Sequence, residues 1–490
     1  MRFPPASFPE GRRPQEPSDG EGACRRGGRR RRMRKGALYG VLVLGVSWLA
    51  ARSGLSPDQV LAVAIFSGFI FGTLLFWDFR LAFALVGIAL LLGSGLLDIE
   101  HLVEFASLDV ILFLVGMMIV VGWLEEQHFF GRALDKVLPR INNSGRTLMT
   151  ALMVFSFISA ALVDEVTSIL FMAAITLRIA KHYRLNPVPF IIMVVFATNI
   201  GSSATVVGNP IGVLIALRSG LSFPDFLRWA APISVAVLAV TAVLSFAFFR
   251  RPMADLQQAI EQSRMKDESA SSDEAGRGLL FPTLLFGGTI LGLVAHSALE
   301  KALGLGQNVL LVGVAMLAAG IVLFVERQRA KELVTHRVDW WTLAFFMLLF
   351  ASAGTLRYVG VTEHVAQGMV NVTGGNLTSL FFLTTWSIGL LSAFMDNVLA
   401  VASFIPVVGD LADVGMQVTP LWWGMLMGGT VLGNLTFIGS TANIVAIGML
   451  EREAGKNITF MEWFWPGLVT SVPSLGLATA LLYIQMPLML

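Results

Sequence analysis

The chain has 490 residues, of which 55% are hydrophobic and only 14% are Asp, Glu, Lys or Arg; a soluble domain carries roughly 25% charged residues. That balance excludes an ordinary soluble enzyme, and a single cysteine, Cys24, excludes an intrachain disulfide or a cysteine metal cluster. The formal net charge of +2 hides strong clustering into a few short loops.

Residues 1–36 hold Pro, Gly, Ser and the basic run Arg25 to Lys35. With almost nothing to bury, they are expected to form a disordered cytoplasmic tail whose charge orients the first helix. Such a run also suits nucleic acid or anionic lipid, but the remaining loop charges favour orientation, and no nucleic-acid partner is expected. Residues 37–58 supply an extra first transmembrane helix, over 37–53. Helices follow at 59–78, 81–97 and 109–124, each long enough to cross about 30 Å of hydrocarbon. The link 98–108 carries Asp98, Glu100, His101 and Glu104 without Lys or Arg and is placed outside. The link with Arg132, Lys136, Arg140 and Arg146 is placed inside.

The apolar stretch 147–177 then ends in a second basic cluster, Arg178, Lys181, His182 and Arg184. Both flanks read as cytoplasmic, and about 30 residues are too few for two crossings at 1.5 Å per residue. A re-entrant hairpin over 147–177 fits, with its tip at Asp164-Glu165. Segment 188–217 is interrupted by Asn199-Ile-Gly-Ser-Ser-Ala-Thr-Val-Val-Gly-Asn-Pro210 and predicts a helix broken near the midplane. A helix over 229–249 completes a first repeat, 59–250. Residues 251–280 read as a solvated cytoplasmic linker. The second repeat, 281–488, has helices at 281–299, 308–325 and 339–356, a hairpin over 378–407 with its tip at Asp396-Asn397, a broken helix over 421–450 and a last helix over 465–486 that ends outside. Basic residues of 326–338 put that loop inside, while 358–377 and 408–420 lack Lys and Arg, so the second hairpin enters from outside.

The halves align by eye. Leu108-Asp109 pairs with Val338-Asp339, Asp164-Glu165-Val166 with Asp396-Asn397-Val398, Asn199 with Asn434, Asn209 with Asn443, and Ser222-Phe223 with Thr459-Phe460. An odd number of crossings per half makes the repeats inverted. The expected fold is an all-α polytopic membrane protein with about 11 transmembrane helices, two re-entrant hairpins and two broken helices. Inverted repeats with broken helices place a substrate site between them at the midplane.

Free carbonyls and Asn, Ser, Thr and Asp oxygens at such breaks suit a hard cation, and helix amino termini there suit an anion. The first expected cluster is Asp164, Glu165, Thr167, Ser168, Asn199, Ser202, Ser203, Thr205 and Asn209. The second is Asp396, Asn397, Ser403, Asn434, Thr436, Ser440, Thr441 and Asn443. Sodium ligands are sought among Asn199, Asp396, Asn397 and Asn434. Asn, Ser and Thr in membrane helices often only bond nearby backbone, whereas a carboxylate at membrane depth is costly, roughly 2.5–3.5 kcal/mol even on mild scales. Asp164, Glu165 and Asp396 are therefore read as functional. Glu165 is the candidate proton carrier, since a carboxyl withdrawn from water favours its neutral form. Trp340, Trp341, Trp422, Trp423, Trp463 and Trp465 lie near expected helix ends and read as an interfacial belt. His296, His336 and His364 make no metal pattern.

At these residues the chain resembles the ion transporter superfamily, most closely the branch of arsenite permeases, D-type sodium–proton antiporters and the melanosomal P protein, with a citrate transporter-like fold. The carriers are Phe113-Leu-Val-Gly-Met-Met118, Asp164-Glu165-Val-Thr-Ser168, Thr198-Asn-Ile-Gly-Ser-Ser-Ala-Thr205, Gly208-Asn-Pro210, Asp396-Asn397 and Gly433-Asn434 through Asn443. The family reads Asp-Asn at both tips; here the first is Asp164-Glu165. The resemblance implies a scaffold part, a moving transport part and, in many members, a homodimer. It implies an ion-coupled secondary transporter, not an enzyme, with no cofactor and with sodium or protons as coupling ion. Sodium–proton antiport, a proton- or sodium-linked carrier of a small anion and arsenite efflux stay open, with an anion channel as the rival outside the class. The expected location is a bacterial inner membrane with the amino terminus cytoplasmic.

Overall fold

A computed structural model describes residues 19–132, 144–264 and 280–489. Lys136, Arg140, residues 1–18 of the tail and residues 265–279 of the linker lie outside the described residues. Among the described residues all regular elements are helical, and eight helices are apolar and long enough to cross a membrane. Together with the composition, this makes the chain a multi-pass integral membrane protein.

The innermost layer is a pair of helices, Val188–Ser202 and Thr419–Val431. From Pro189 and Pro420 onward every side chain in them is buried, as expected of helices that are apolar all round. Helix Gly145–Leu162 packs on the first and Leu377–Phe394 on the second, and Ala231–Phe248 crosses Phe460–Gln485. After each break the chain crosses over. Pro210–Ser219 packs on Asn397–Asp413, and Thr441–Ala454 packs on Glu165–His182. The flanking helices interlock in the same way, with Leu108–Glu126 on Val309–Val325 and Trp340–Tyr358 on Arg80–Gly93.

Both hairpins form as pairs of helices, Gly145–Leu162 with Glu165–His182 and Leu377–Phe394 with Asn397–Asp413. Their arms exceed the expected 147–177 and 378–407, and Gly145–Leu162 and Leu377–Phe394 are themselves among the eight helices long enough to cross, so chain length no longer argues for re-entry. Lys181 and His182 extend the helix rather than ending it, because basic side chains at a helix carboxyl terminus complement the dipole. Three other expectations fail. The helix expected at 37–53 already begins at Asp19, inside the segment expected to be a disordered tail; arginine is a good helix former and an acidic start suits the dipole. The expected linker opens with a helix, Arg250–Arg264, that buries Met253, Leu256 and Ile260, an amphipathic spacing hidden by the surrounding charge. Of the expected tryptophan belt, Trp340, Trp341 and Trp465 are exposed, but Trp422, Trp423 and Trp463 are buried, since their helices form the inner layer.

Close approach at the centre depends on glycine. A Cβ on Gly201 would stand 2.3 Å from the Phe157 carbonyl oxygen, whereas one on Gly320 would meet nothing within 4 Å. Gly201→Ala is expected to destabilise by about 1–3 kcal/mol and to lower the melting temperature of the detergent-purified protein by several degrees. Gly320→Ala, measured in parallel, should leave it unchanged.

Candidate functional site

Two hairpin tips and two helix breaks meet at the centre. Each tip is fixed by a capping aspartate. Asp164 accepts from the Val166 and Thr167 amides, both at 2.8 Å, and Asp396 accepts from the Val398 amide at 3.0 Å and the Thr441 hydroxyl at 2.7 Å. These are the positions at which Asp satisfies amides that have no helical partner. Each break is tied to the hairpin beside it by a threonine. Thr205 donates to the Ala161 carbonyl, and Thr436 donates to the Ala393 carbonyl at 2.5 Å. Each second half-helix starts on a side-chain cap, Asn209 for Pro210–Ser219 and Ser440 for Thr441–Ala454.

These roles correct the alignment made by eye. Asn209 corresponds in role to Ser440, not to Asn443, and in the same register Asn434 corresponds to Ser203, not to Asn199. Two nearby asparagines of similar spacing misled the sequence comparison, whereas the caps and the anchoring threonines set the register.

Asn199, Asn434 and Asn443 form one amide cluster. Asn199 Nδ2 donates to Asn434 Oδ1 at 2.6 Å and to Asn443 Oδ1 at 2.7 Å. Asn443 Nδ2 donates to the Gly433 and Thr436 carbonyls, and Asn434 Nδ2 to the Phe196 carbonyl. All three amide orientations therefore agree. Asn199 belongs to the first expected cluster and the other two to the second, so the structure merges the two clusters into one.

Glu165 lies at the junction and is 2% exposed. Asn397 Nδ2 stands 3.3 Å from both of its oxygens. The Ser202 hydroxyl is 3.1 Å from Oε2, and the Ser440 hydroxyl is 3.4 Å from Oε1. Each serine also has a closer acceptor: the Asn199 carbonyl at 2.8 Å for Ser202, and Asn199 Oδ1 at 3.1 Å for Ser440. A hydroxyl has one proton to give, so the carboxylate is the loosely held member of the network. Asp164 and Asp396 hold shorter bonds and act as caps.

Other expected residues fall elsewhere. Ser203 bonds Ser234 at 2.9 Å and faces helix Phe223–Phe248. Ser403 bonds its own helix at the Leu399 carbonyl. The Ser168 hydroxyl is buried without a hydrogen-bond partner among the described residues, one turn from Glu165. Two supporting groups were missed. Trp463 Nε1 donates to the Asn434 carbonyl at 3.1 Å, and Ser392 donates to the Gly429 carbonyl at 2.5 Å. Only burial of the tryptophan distinguishes it from a belt residue, and sequence alone does not show burial. A separate cavity of about 540 Å³ is lined by Glu104, Leu214, Arg218, Arg357, Tyr358 and Pro406, among others, and by none of the central residues.

A polar centre where broken helices meet inside an apolar bundle defines a membrane transporter. A sequence model described as Citrate transporter matches residues 75–428. The chain belongs to the citrate transporter family. It is 34% identical over 389 residues to a protein of Mycobacterium tuberculosis described as an uncharacterized transporter, an alignment covering 77% of this chain and 86% of that one. It is 25% identical to the human P protein, over 77% of this chain and 53% of that one. In fold it resembles the Alcanivorax borkumensis YdaH transporter, with a TM-score of 0.52 and 16% identity over 80% of this chain and 87% of that one. It also resembles Neisseria gonorrhoeae MtrF, with a TM-score of 0.50 and 15% identity over 90% and 97%. The chain is a secondary transporter and not an enzyme.

Asn199→Leu should leave the Asn434 and Asn443 side-chain oxygens buried and unpaired, which costs about 1–3 kcal/mol per group. Transport in proteoliposomes is expected to fall at least tenfold. The isosteric Asn199→Asp exchange is expected to be similarly damaging, because the oxygen that replaces Nδ2 would face two acceptors, the Asn434 and Asn443 side-chain oxygens.

Proposed function

We propose that this chain exchanges a proton for a small cation such as sodium at Glu165, and that the exchange drives alternating access between two inverted halves of a bacterial inner-membrane transporter. The observation that carries the reading is the bonding of Glu165. One carboxylate touches the opposite tip through Asn397 and both breaks through Ser202 and Ser440, yet none of these bonds is short. A carboxylate out of water needs a proton or a cation. Protonated, it can donate to a serine oxygen and relieve the shortage of donors. Ionised, it can join the Asn199, Asn397 and Ser440 oxygens around a hard cation. The two occupants compete for the same oxygens, and that competition couples them. Each occupant changes the ties between the tips and breaks, and this biases the two conformations.

A second reading is favoured by a different observation. Four helix amino termini, at Glu165, Asn397, Pro210 and Thr441, begin around this junction, and amino termini attract anions. A small anion carried with the cation would use them, in keeping with the description of the family. Among the described residues, the side chains that bond Glu165 are Asn397, Ser202 and Ser440 and carry no positive charge, which disfavours a multiply charged anion bound without its cation.

The test uses proteoliposomes with an internal pH dye and an imposed sodium or lithium gradient. The wild type should move protons against the cation gradient. Glu165→Gln should lose at least tenfold of that flux and its dependence on pH, since the amide cannot exchange a proton. Unchanged flux in Glu165→Gln would remove the carrier role. Gradient-driven uptake of labelled citrate, succinate, sulfate or arsenite, without net cation–proton exchange, would favour the second reading.

A further inference from the structure

Two arginines tie the flanking helices to the central elements through three ion pairs, and both line the cavity of about 540 Å³ at one end of the bundle. Arg218, near the end of Pro210–Ser219, holds Asp109 of helix Leu108–Glu126 with two bonds of 3.0 Å. Arg357, near the end of Trp340–Tyr358, holds Asp410 at 2.8 Å and Asp413 at 2.6 Å, both on the second arm of the second hairpin. Arg357 is 45% exposed. The Arg218–Asp109 and Arg357–Asp413 pairs are open to water on both sides, hence weak, and suit contacts that must part. Asp410 is buried and keeps the Thr362 hydroxyl as a partner when Arg357 leaves.

The halves carry matching positions 232 residues apart, the separation of Glu165 from Asn397. Gly354 takes the Phe105 ring where a Cβ would be, and Gly122, its equivalent, takes the Arg337 side chain in the same way. At this spacing Arg357 corresponds to Glu125, Asp410 to Arg178 and Asp413 to Lys181. All three charges are reversed, so a strap between the equivalent positions would be equally attractive with its polarity inverted. In this conformation the strap of the second half is closed, and Trp340–Tyr358 packs along Asn397–Asp413. The equivalent helices, Leu108–Glu126 and Glu165–His182, are at most in marginal contact. Glu125 is instead held by Arg337 at 3.0 Å.

We infer that Glu125 with Arg178 and Lys181 is the strap of the opposite transport state, formed when Arg357 releases Asp410 and Asp413. If two inverted halves exchange conformations, the contact made within one half in one state is made within the other half in the alternate state. The sequence supplies that contact with complementary charge. The inference rests on the alternating-access reading above. It adds that the two ends of the bundle close in turn, through straps of opposite polarity, and that Glu125 moves from Arg337 to Arg178.

Paired cysteines in a Cys24→Ser background test it, with a short rigid bis-maleimide as cross-linker on the full-length protein in proteoliposomes. Arg357→Cys with Asp410→Cys should cross-link in the state seen here and stop transport. Glu125→Cys with Arg178→Cys should cross-link during turnover and also stop transport. In the four-cysteine protein the two cross-links should exclude each other within one molecule. Charge reversal gives an independent reading: Glu125→Arg should lower transport about tenfold, and adding Arg178→Glu should restore it to within about threefold. If neither pair responds to the ion gradient, alternating access itself fails. If the 357–410 pair opens during turnover while the 125–178 pair never cross-links, or both links form in one molecule, only the strap is overturned.

Discussion

Ending four helices inside an apolar bundle leaves their terminal amides and carbonyls without helical partners, and each one left unbonded there is costly. The centre of this protein is organised by that constraint. Asp164, Asp396, Asn209 and Ser440 cap the amides. Thr205 and Thr436 are bonded to hairpin carbonyls, and Asn443 and Trp463 bond carbonyls of the second break. Once these ties are made, few donors remain for Glu165. A group that is held loosely within a tightly tied network is the one free to change partner.

The same constraint links site to architecture. Because each second half-helix crosses to pack on the other hairpin, any change at the junction reaches both halves at once. The amide cluster of Asn199, Asn434 and Asn443 spans that crossing. On the proposed reading, binding at Glu165 would be transmitted through helices that pack directly on one another. The exposed Arg218–Asp109 and Arg357–Asp413 pairs at the cavity end are weak contacts.

Much of this was legible in the sequence. Apolar runs and loop charges give the helices. The basic cluster after residue 177 exposes the first hairpin as an anomaly, and small polar residues interrupting apolar segments give both breaks. The acidic tips point to Glu165, which the structure buries where the tips and breaks meet. Other features were hidden because they depend on packing. Asn199 and Asn434 read as members of two clusters, and only the pairing of the two inner helices, with the crossing half-helix that brings Asn443, puts them in one. Asp164 and Asp396 look like ligands in a sequence but act as caps here. Trp463 resembles an interfacial residue until the inner layer is seen to bury it. The match of Asn209 with Asn443 failed for a similar reason, since the register is set by hydrogen-bonding roles and not by residue type.

The central claim is that Glu165 trades a proton for a cation. Infrared difference spectroscopy of the purified protein, recorded on adding sodium and then lithium, reads this directly in the carboxyl stretching region. The account predicts loss of a protonated-carboxyl band with at least one of these cations, and absence of that change in Glu165→Asn. A spectrum with no cation-dependent carboxyl change, or a change that persists in Glu165→Asn, would contradict it.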